Sequence, residues 1–483
     1  AKKMSKKTTD SVLYWIRSDL RIFDNLALWE AAKTNKEIIV IYIKNLTSKE
    51  SSEKLALNTW INKSLQELSE RYKELYKIKI KIYNDDIYQV IEALHKETNF
   101  TDIYINTTFD PEVDKIDTKL ATKFKNSFNV NSYNSSLLFK PNEILNNSGD
   151  FFKVYTPFWK KALSKLSLRE PLPIPKINSV YKDNISSIKE VKITPPNKIW
   201  QKKILEHFTP GELTARHLLN HTYEKISGYS EKRDFPIKNN TSQLSPYLAR
   251  GELSVNEIFF SIKKKKNKIK SYDYNKFTAQ LGWREFSYNI LYNFPNLSNK
   301  NFISKFDNFP WKKNEANFQK WRNGNTGFPI VDAGMRELKA TGYMHNRLRM
   351  IVASFLVKNL NISWVFGAKW FWENLFDADV ANNFAGWQWV AGCGTDAAPY
   401  FRIFNPTLQS IRFDKEGGYI RKWIPELKDL PSKYIHAPWE MTDLELVGFN
   451  VRLGKDYPRP IVDHKTTRDE ALKNYKRMNN LNV

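Results

Sequence analysis

SVLYWIRSDLRIFDNLALWEAAKTNKEIIVIYI (residues 11–43) decides the fold class of the first part of this chain. Residues 11–20 are predicted to form a strand, and the continuous apolar run over 37–43 is typical of a buried strand. Between them, NLALWEAAKTN (25–35) has the apolar spacing of a crossover helix. A strand, a helix and a second strand in this order predict a parallel pair of strands.

The alternation of strands and helices continues after this segment. Helices are predicted over residues 55–76 and 86–97, which have helical apolar periodicity. Strands are predicted over residues 77–83 and 102–107. The predicted fold class is therefore α/β with a parallel, Rossmann-like sheet. No Gly-x-Gly-x-x-Gly motif follows any of these strands, so the usual dinucleotide-binding fingerprint is missing.

The composition of the chain changes near residue 137. Segments rich in Pro, Asn and Ser between 137 and 200 predict a long connector, and the pattern beyond residue 200 is helical with prolines as punctuation. A chain of 483 residues is too long for a single core. We therefore predict an α/β domain over residues 1–136, an interdomain linker over 137–200 and a larger all-α domain over 201–483.

The net charge of +24 is the strongest compositional signal. It favours a polyanionic partner, with nucleic acid ahead of an anionic membrane surface, although a biased genome composition also enriches Lys, Asn and Ile. No apolar run approaches the ~18 residues of a membrane helix, and the first ten residues lack the apolar core of a secretory signal. The single cysteine, Cys393, leaves no disulfide to form and favours a reducing, intracellular compartment.

FDADVANNFAGWQW (376–389) contains polar side chains that need partners, because buried carboxylates and amides are costly without hydrogen bonds. In a helix that begins near residue 378, Asp379, Asn383 and Trp387 fall at i, i+4 and i+8 and form one stripe. A carboxylate, an amide and an indole in a row suit a large planar ligand with polar edges. Aspartate caps at a helix start are the alternative, and they explain Asp377 or Asp379 but not Asn383.

MHNRLRMIVASFLVKNL (344–360) predicts an amphipathic helix. Asn346 and Met350 are four residues apart and share a face, and Arg349 lies next to that face. From there Arg349 can pair with Asp377. Taken alone, the same pattern is also explained by an ordinary surface for helix packing.

Three hydroxyl residues, Thr241, Ser242 and Ser245, precede a further predicted helix. A hydroxyl-rich helix N-terminus offers free N–H groups to a phosphate. An ordinary Ser or Thr cap is the alternative, and for this segment alone it is the simpler explanation.

Several long motifs, in their order and spacing, resemble the photolyase/cryptochrome flavoprotein family, and the details are most similar to its bacterial cyclobutane pyrimidine dimer photolyases. The resemblance covers essentially the whole chain and implies an α/β antenna domain followed by a helical domain that holds FAD. The motifs are YWIRSDLRIFDN (14–25), KVYTPFW (153–159), WREFSYNILYNFP (283–295), TGYMHNRLRMIVASFLVK (341–358), DADVANN and GWQW within 377–389, GTDAAPYFRIFNP (394–406) and YIRKWIPEL (419–427).

The resemblance implies roles for single residues around FAD. Arg349 and Asp377 match the family's ion pair beside the isoalloxazine ring, and Asp379 matches its FAD-binding carboxylate. Asn383 matches the asparagine that faces the flavin nitrogen protonated on reduction; plant cryptochromes tend to have Asp there, so Asn favours repair. The family's FAD-phosphate segment corresponds to Tyr229, Thr241, Ser242 and Ser245. Its electron-hopping chain, which photoreduces FAD from the surface, corresponds to Trp387, Trp364 and Trp311.

The resemblance also implies a DNA substrate. Trp283 and Trp389 are similar to the two indoles that sandwich a flipped-out pyrimidine dimer, in keeping with the need to extract a base before reacting with it. Asn346 and Met350 are similar to the pair that contacts the dimer, where (6-4) photolyases typically have histidines. Contacts to the DNA backbone, where cations dominate affinity, are implied for Arg233, Arg347 and Arg402.

Four positions depart from the family pattern. Gln280 stands where dimer photolyases usually have Glu; it can hydrogen-bond a thymine edge but carries no charge, so a (6-4) lesion stays an alternative substrate. Ala368 replaces a frequent carboxylate near the middle tryptophan, which affects the expected redox tuning of the flavin. Asp114 and Lys115 replace the Asn-Glu pair that holds a folate in some members. A second, antenna chromophore is therefore expected without an assigned identity.

The sequence thus predicts light-driven repair of ultraviolet-damaged DNA by a monomeric enzyme, in which reduced FAD passes an electron to a cyclobutane dimer. No metal site and no membrane partner are predicted. A cryptochrome-type photoreceptor is the alternative within the family. A nucleic-acid-binding protein with a vestigial pocket is the alternative outside it, and that alternative predicts a colourless protein.

Overall fold

The computed structural model describes residues 10–47 and 55–480. The expectation about a secretory signal concerns the first ten residues and so lies almost wholly outside them. The sheet consists of five strands that pair in parallel in the order β3-β2-β1-β4-β5, as the α/β fold class predicts. The strands are β1 (Ser11–Ile16), β2 (Glu37–Ile43), β3 (Lys81–Tyr83), β4 (Asp102–Asn106) and β5 (Asn129–Tyr133).

Three of the helices that connect these strands begin and end within two residues of the predicted positions. The sequence missed α4 and β5, because β5 (NVNSY) is a polar, partly exposed edge strand without an apolar run. It also predicted strands over residues 11–20 and 77–83, whereas β1 ends at Ile16 and β3 includes only Lys81–Tyr83. The connecting helices are α1 (Leu26–Lys33), α2 (Ala56–Tyr76), α3 (Ile87–Thr98) and α4 (Pro111–Lys123).

The crevice between β1 and β4 is where the strand order reverses, and this is where open α/β sheets commonly bind ligands. A cavity at this end of the sheet is lined by Ser18 and Thr108, which follow β1 and β4, and by side chains of the helical part of the chain. The Tyr14 hydroxyl and the Asn106 amide both donate to Oδ2 of Asp19, at 2.6 and 2.7 Å. The Asn25 amide donates to the Tyr14 hydroxyl at 2.6 Å. This internal network agrees with the missing dinucleotide fingerprint.

The segment predicted as a linker is only partly irregular. It contains α5 (Tyr155–Lys165), whose Trp159 is buried. Upstream of it, the backbone N–H groups of Leu138 and Phe139 donate to the Glu285 carboxylate at 3.0 and 3.3 Å. The segment is thus attached to the helical part of the chain, and the division into 1–136, 137–200 and 201–483 stays a prediction.

The remainder of the chain is helical, as predicted. Two of its helices, α11 and α15, pack against α16. The helices are α6 (Ile199–Ile204), α7 (Glu212–Ile226), α8 (Tyr229–Lys232), α9 (Ser245–Ala249), α10 (Val255–Lys264), α11 (Ser271–Asn293), α12 (Glu315–Arg322), α13 (Pro329–Thr341), α14 (Asn346–Ser354), α15 (Trp364–Asn374), α16 (Val380–Ala391), α17 (Pro406–Phe413), α18 (Gly418–Trp423), α19 (Asp443–Val447) and α20 (His464–Asn480).

The helix predicted over 344–360 is not regular throughout. It is α-helical as α14 and then continues as a π-helical turn over Phe355–Asn359. The turn carries two buried polar side chains that bond to other segments: Lys358 donates to the carbonyl of Arg402 at 3.0 Å, and Asn359 donates to Thr467 at 3.0 Å. These partners lie outside the helix, so helical periodicity could not reveal the change.

Buried polar contacts join the sheet region to the helices. The Glu212 carboxylate at the start of α7 accepts from the backbone N–H groups of Ile22 and Phe23, both at 2.9 Å, and from Arg71. Gly251 approaches the sheet region so closely that a Cβ there would lie 2.0 Å from the carbonyl oxygen of Ser18. Glycine is therefore required at this contact.

No helix within the described ranges has the length and apolar character needed to span a bilayer.

Candidate functional site

Helix α16 presents the polar residues of the 376–389 segment. Its N-cap is Asp379, whose Oδ1 accepts from the backbone N–H groups of Ala381 and Asn382 at 3.0 and 2.7 Å. Its other oxygen accepts from the hydroxyl of Tyr288 on α11. Asp379 is therefore a helix cap, which was the alternative interpretation of this residue, and it lies directly before the first residue of α16. Asn383 and Trp387 lie one turn apart on α16, as predicted.

The predicted ion pair between Arg349 and Asp377 is present. Two guanidinium nitrogens donate to the two carboxylate oxygens at 3.0 and 2.8 Å, the bidentate arrangement that fixes both side chains. The remaining Nε–H of Arg349 donates to the carbonyl of Met344 at 2.6 Å. The Ser245 hydroxyl donates to the same carboxylate at 2.6 Å. Three separate segments thus meet at Asp377.

The hydroxyl residues of the 229–254 segment are arranged differently from the prediction. Thr241 and Ser242 precede α9, but Ser245 is its first residue, and α9 is only five residues long. The Ser242 hydroxyl accepts from the backbone N–H of Leu244 at 3.4 Å. Tyr229 is buried at the start of α8. A regular helix N-terminus free for a phosphate is therefore not what this segment forms.

The Asn383 side chain has a fixed orientation. Its Nδ2 donates to the backbone carbonyl of Ala368 at 3.0 Å. One of the two amide N–H groups is thereby occupied, and the side-chain oxygen is left to accept a hydrogen bond. Ala368, one of the positions that departs from the family pattern, is thus a direct neighbour of Asn383.

The three predicted tryptophans lie on adjoining segments. Trp387 packs so tightly on α15 that a Cβ on Gly367 would lie 2.2 Å from its ring, and Gly367 is one turn from Trp364. The Trp364 indole is buried and donates to Asn301 at 2.8 Å. Trp311 is half-buried, and its segment joins that of Trp364 because Lys312 N–H donates to the carbonyl of Asn361 at 2.8 Å.

Sequence reasoning missed Trp321, although it is a neighbour of Trp387. The two ring centroids are 6.1 Å apart at 74°. Trp321 is completely buried, and its indole donates to the carbonyl of Val352 at 3.0 Å. It lies in no motif that the family resemblance used, so nothing in the sequence pattern singles it out.

Trp283 is stacked on a residue that the sequence did not assign to the site. The ring of Tyr155, at the start of α5, lies parallel to Trp283 with centroids 3.8 Å apart and an angle of 9°. The Tyr155 hydroxyl donates to the carbonyl of Ala279 at 2.8 Å. Tyr155 belongs to the KVYTPFW motif, which was the one available signal. Trp389 is half-buried on α16.

The other predicted lesion contacts are arranged along α11 and α14. The Gln280 amide nitrogen donates to the carbonyl of Lys276 at 3.2 Å, so its oxygen is the end left for a ligand. The Asn346 amide nitrogen lies 3.8 Å from the sulfur of Met350, which confirms that these two side chains share a face.

The three arginines predicted at the DNA backbone differ in exposure. Arg402 is exposed. Arg347 and Arg233 are largely buried, and their guanidinium groups lie 3.0 and 3.8 Å from the carboxylate oxygens of Asp234. Sequence reasoning missed Asp234, although it directly follows Arg233 in the chain.

His345 is the N-cap of α14, the helix that presents Asn346, Arg347 and Arg349. Its Nδ1 accepts from the backbone N–H of Arg347 at 3.1 Å, which requires that this nitrogen carry no proton. Burial lowers the pKa of the imidazole from 6.5 to about 4, in agreement with the neutral form.

This cap predicts a pH dependence of stability. Because the folded pKa of His345 lies below its unfolded value, the unfolded chain binds more protons between pH 6.5 and 4, and stability falls as the pH falls. We expect a loss of about 3 kcal/mol by pH 4 from this residue alone. His345→Asn keeps a capping oxygen but does not titrate, so its unfolding free energy should fall less between pH 7 and pH 4 in urea titrations. Parallel curves for the two proteins would contradict this role.

The donor set fits a large, planar, polar heterocycle. The charged pair Arg349–Asp377, the Asn383 oxygen and the hydroxyl groups near α9 provide both hydrogen-bond donors and acceptors. The Trp387 Nε1–H is buried and has no hydrogen-bond partner among the described residues. Within these residues, no group of three or more His, Cys, Asp or Glu side chains is arranged to hold a metal ion.

Comparison with known proteins gives two family matches. Residues 12–176 match the DNA photolyase family, and residues 277–477 match the FAD binding domain of DNA photolyase. A deoxyribodipyrimidine photo-lyase of Agrobacterium fabrum is 40% identical over 476 residues, which cover 98% of each protein.

Two solved structures are similar along almost the whole chain. A class III photolyase from Agrobacterium tumefaciens has a TM-score of 0.93 and 40% identity, with 99% of this chain and 100% of that chain covered. A cryptochrome from Synechocystis has a TM-score of 0.87 and 30% identity, with 96% and 99% covered.

Proposed function

Because the chain belongs to the DNA photolyase family, we propose that it is a deoxyribodipyrimidine photo-lyase that uses light to split cyclobutane pyrimidine dimers in ultraviolet-damaged DNA. The observation that carries the proposal is the site around α16, where the Arg349–Asp377 pair and Asn383 stand together. These are the groups that the family uses beside its flavin.

FAD is the cofactor, and reduced FAD would supply the light-excited electron that opens the cyclobutane ring. Arg349 provides positive charge next to the site and is held in place by Asp377 and the carbonyl of Met344. Asp379 holds the start of α16 through its capping bonds and its bond to Tyr288. We propose that Tyr229, Thr241, Ser242 and Ser245 face the phosphates of the cofactor with their side-chain hydroxyls, since the segment does not form a regular helix N-terminus.

Asn383 has a side-chain oxygen that could accept a hydrogen bond from the flavin. Its amide nitrogen is already used by the carbonyl of Ala368, so the oxygen is available to accept from a protonated ring nitrogen. An aspartate there could not donate to this carbonyl unless it were protonated. Through its oxygen, Asn383 would accept from the protonated ring nitrogen of the reduced cofactor, the form that repair requires.

The route for electrons to the flavin runs through Trp387, Trp364 and Trp311. Trp387 contacts α15, which begins at Trp364, and the Trp311 segment is hydrogen-bonded to the segment before α15. The half-buried position of Trp311 supports its place as the outermost member.

The substrate surface supports a flipped-out dimer. Trp283 and Trp389 offer half-buried indoles for stacking, and Gln280 offers an oxygen that can accept from a thymine N3–H without needing a charge. Asn346 and Met350 share one face and stand where (6-4) photolyases typically have histidines, which supports a cyclobutane dimer ahead of a (6-4) lesion. The second candidate, a cryptochrome-type photoreceptor, is favoured by the likeness to the Synechocystis cryptochrome.

Tyr155 should contribute to lesion binding through its stack on Trp283. Removing the ring by Tyr155→Leu frees the indole to rotate, and we expect affinity for dimer-containing DNA to fall about fivefold, or ~1 kcal/mol. Tyr155→Phe keeps the stack and loses only the bond to the carbonyl of Ala279, so it should bind nearly as well as the wild type. Equilibrium binding of a labelled oligonucleotide compares the three proteins. Equal losses in the Leu and Phe variants would assign the effect to the hydroxyl instead.

Two further parts of the proposal concern assembly and light harvesting. We propose that the enzyme acts as a monomer, which sedimentation equilibrium with and without DNA can test. We also propose a second, antenna chromophore of undefined identity. Burial and the nearby carboxylate of Asp117 raise the pKa of Asp114 to about 6, so this position differs chemically from the Asn of a folate site.

A repair assay tests the proposed function. The purified protein should be yellow, and after reduction it should restore dimer-containing DNA in blue light but not in the dark. A colourless protein that binds DNA would support the nucleic-acid-binding alternative, and a yellow protein without light-dependent repair would support the photoreceptor.

A further inference from the structure

Asp234 lies between two of the arginines assigned to the DNA backbone. Its Oδ2 is 3.0 Å from the guanidinium of Arg347, and its Oδ1 is 3.8 Å from that of Arg233. The two arginine side chains are only 16% and 12% exposed, whereas Asp234 is 34% exposed. The carboxylate therefore forms the open side of this cluster.

Aromatic rings also contact the guanidinium groups of the two arginines. The guanidinium carbon of Arg347 is 4.2 Å from the ring centroid of Phe413, and that of Arg233 is 5.3 Å from Tyr229. The backbone N–H of Arg347 is bonded to His345. Both guanidinium groups thus have defined positions before any DNA is bound.

The carboxylate has two opposite effects on a DNA phosphate. It holds two cations in one geometry, which favours a phosphate placed at one defined point. It also neutralises part of their charge and repels any phosphate that approaches, which weakens contacts with DNA in general. The first effect requires a phosphate at a fixed position, whereas the second applies to every DNA duplex.

We propose that Asp234 determines specificity by holding Arg233 and Arg347 for a single phosphate next to the lesion while lowering affinity for undamaged DNA. The inference rests on the proposed function, because it requires a DNA duplex in which stacking of a flipped-out lesion fixes the register of the backbone. Asp234 itself is a positioning residue that contacts the arginines.

Asp234→Asn tests the inference in the FAD-loaded protein. Removing one negative charge should steepen the dependence of log K on log salt for undamaged duplex by about 0.9. The ratio of variant to wild-type affinity should therefore be about eightfold larger at 0.1 M salt than at 1 M salt. Binding of dimer-containing duplex should tighten less, because the arginines lose their fixed geometry. The ratio of the two affinities therefore falls.

Two variants serve as controls. Asp234→Glu keeps the carboxylate and should keep the weak binding of undamaged DNA. Glu92→Gln removes the same charge from an exposed pair with Lys96 on α3, in the sheet region, and should leave both affinities and the salt slope unchanged. Thermal unfolding of each variant checks that the fold is intact.

Each outcome has one meaning. A steeper slope and a lower ratio in Asp234→Asn support the inference. An unchanged slope, or an equal gain for both duplexes, overturns it, provided that the wild type discriminates between them. A wild type that does not discriminate between damaged and undamaged duplex contradicts the proposed function instead.

Discussion

Replacing Trp387 with phenylalanine is expected to abolish light-driven reduction of the bound flavin and to leave repair by chemically reduced protein intact. Trp387 lies on α16 and packs against α15. In the proposed series of electron-transferring tryptophans it is the one next to the flavin. Phenylalanine fills most of the same volume but is far harder to oxidise than an indole. The visible absorption spectrum during blue illumination, with an external electron donor present, measures the first effect.

Trp423→Phe is a suitable control for this experiment, because Trp423 ends α18 and lies outside the proposed chain. It should photoreduce like the wild type. Loss of both photoreduction and repair in Trp387→Phe would point to structural damage, because Trp387 is buried against Phe371 and Gly367. Unchanged photoreduction would remove Trp387 from the electron route.

Replacing Arg349 with methionine is expected to cost about 3 kcal/mol of unfolding free energy, because it leaves the Asp377 carboxylate without its cation. That carboxylate is only 6% exposed and, within the part of the chain that the structure describes, keeps a single hydrogen bond, from Ser245. The variant should also lose FAD on purification, since the cation beside the proposed flavin site is gone. Urea unfolding and the ratio of flavin to protein absorbance measure the two effects separately.

Arg336→Met separates the loss of an ion pair from the loss of the cofactor. Arg336 donates to Glu426 at 2.6 Å and has the same side-chain exposure as Arg349, 23%, but it lies outside the proposed site. The Arg336→Met variant should be less stable than the wild type and should still hold FAD. If Arg349→Met is destabilised by a similar amount and retains FAD in full, Arg349 is only a structural residue.

Much of the fold could be predicted because the buried elements have strong periodicity. Strand β2 and helix α2 were predicted within one residue, since a buried parallel strand is continuously apolar and a long helix repeats its apolar spacing. Strand β5 was missed because its side chains are polar and partly exposed at the sheet edge. The π-helical turn after α14 was also missed; its buried polar side chains bond to distant segments, which a local pattern does not encode.

The site was predictable where the residues are close together in sequence or belong to a long motif. The pairing of Arg349 with Asp377 was predicted from two motifs, and the structure contains it. The stack of Tyr155 on Trp283 and the contact of Asp234 with Arg347 were not predicted. Both join segments more than a hundred residues apart, and no local pattern encodes which distant side chain a residue will meet.

Light-driven repair of cyclobutane dimers by this protein can be tested in a single assay. Reduced, FAD-loaded protein is illuminated with two oligonucleotides in parallel, one with a cyclobutane thymine dimer and one with a (6-4) photoproduct. We expect light-dependent restoration of the oligonucleotide with the cyclobutane dimer alone, with Gln280 serving in place of a carboxylate. Restoration of the second alone would move the assignment to (6-4) repair, and repair of neither by a photoreducible protein would contradict the claim.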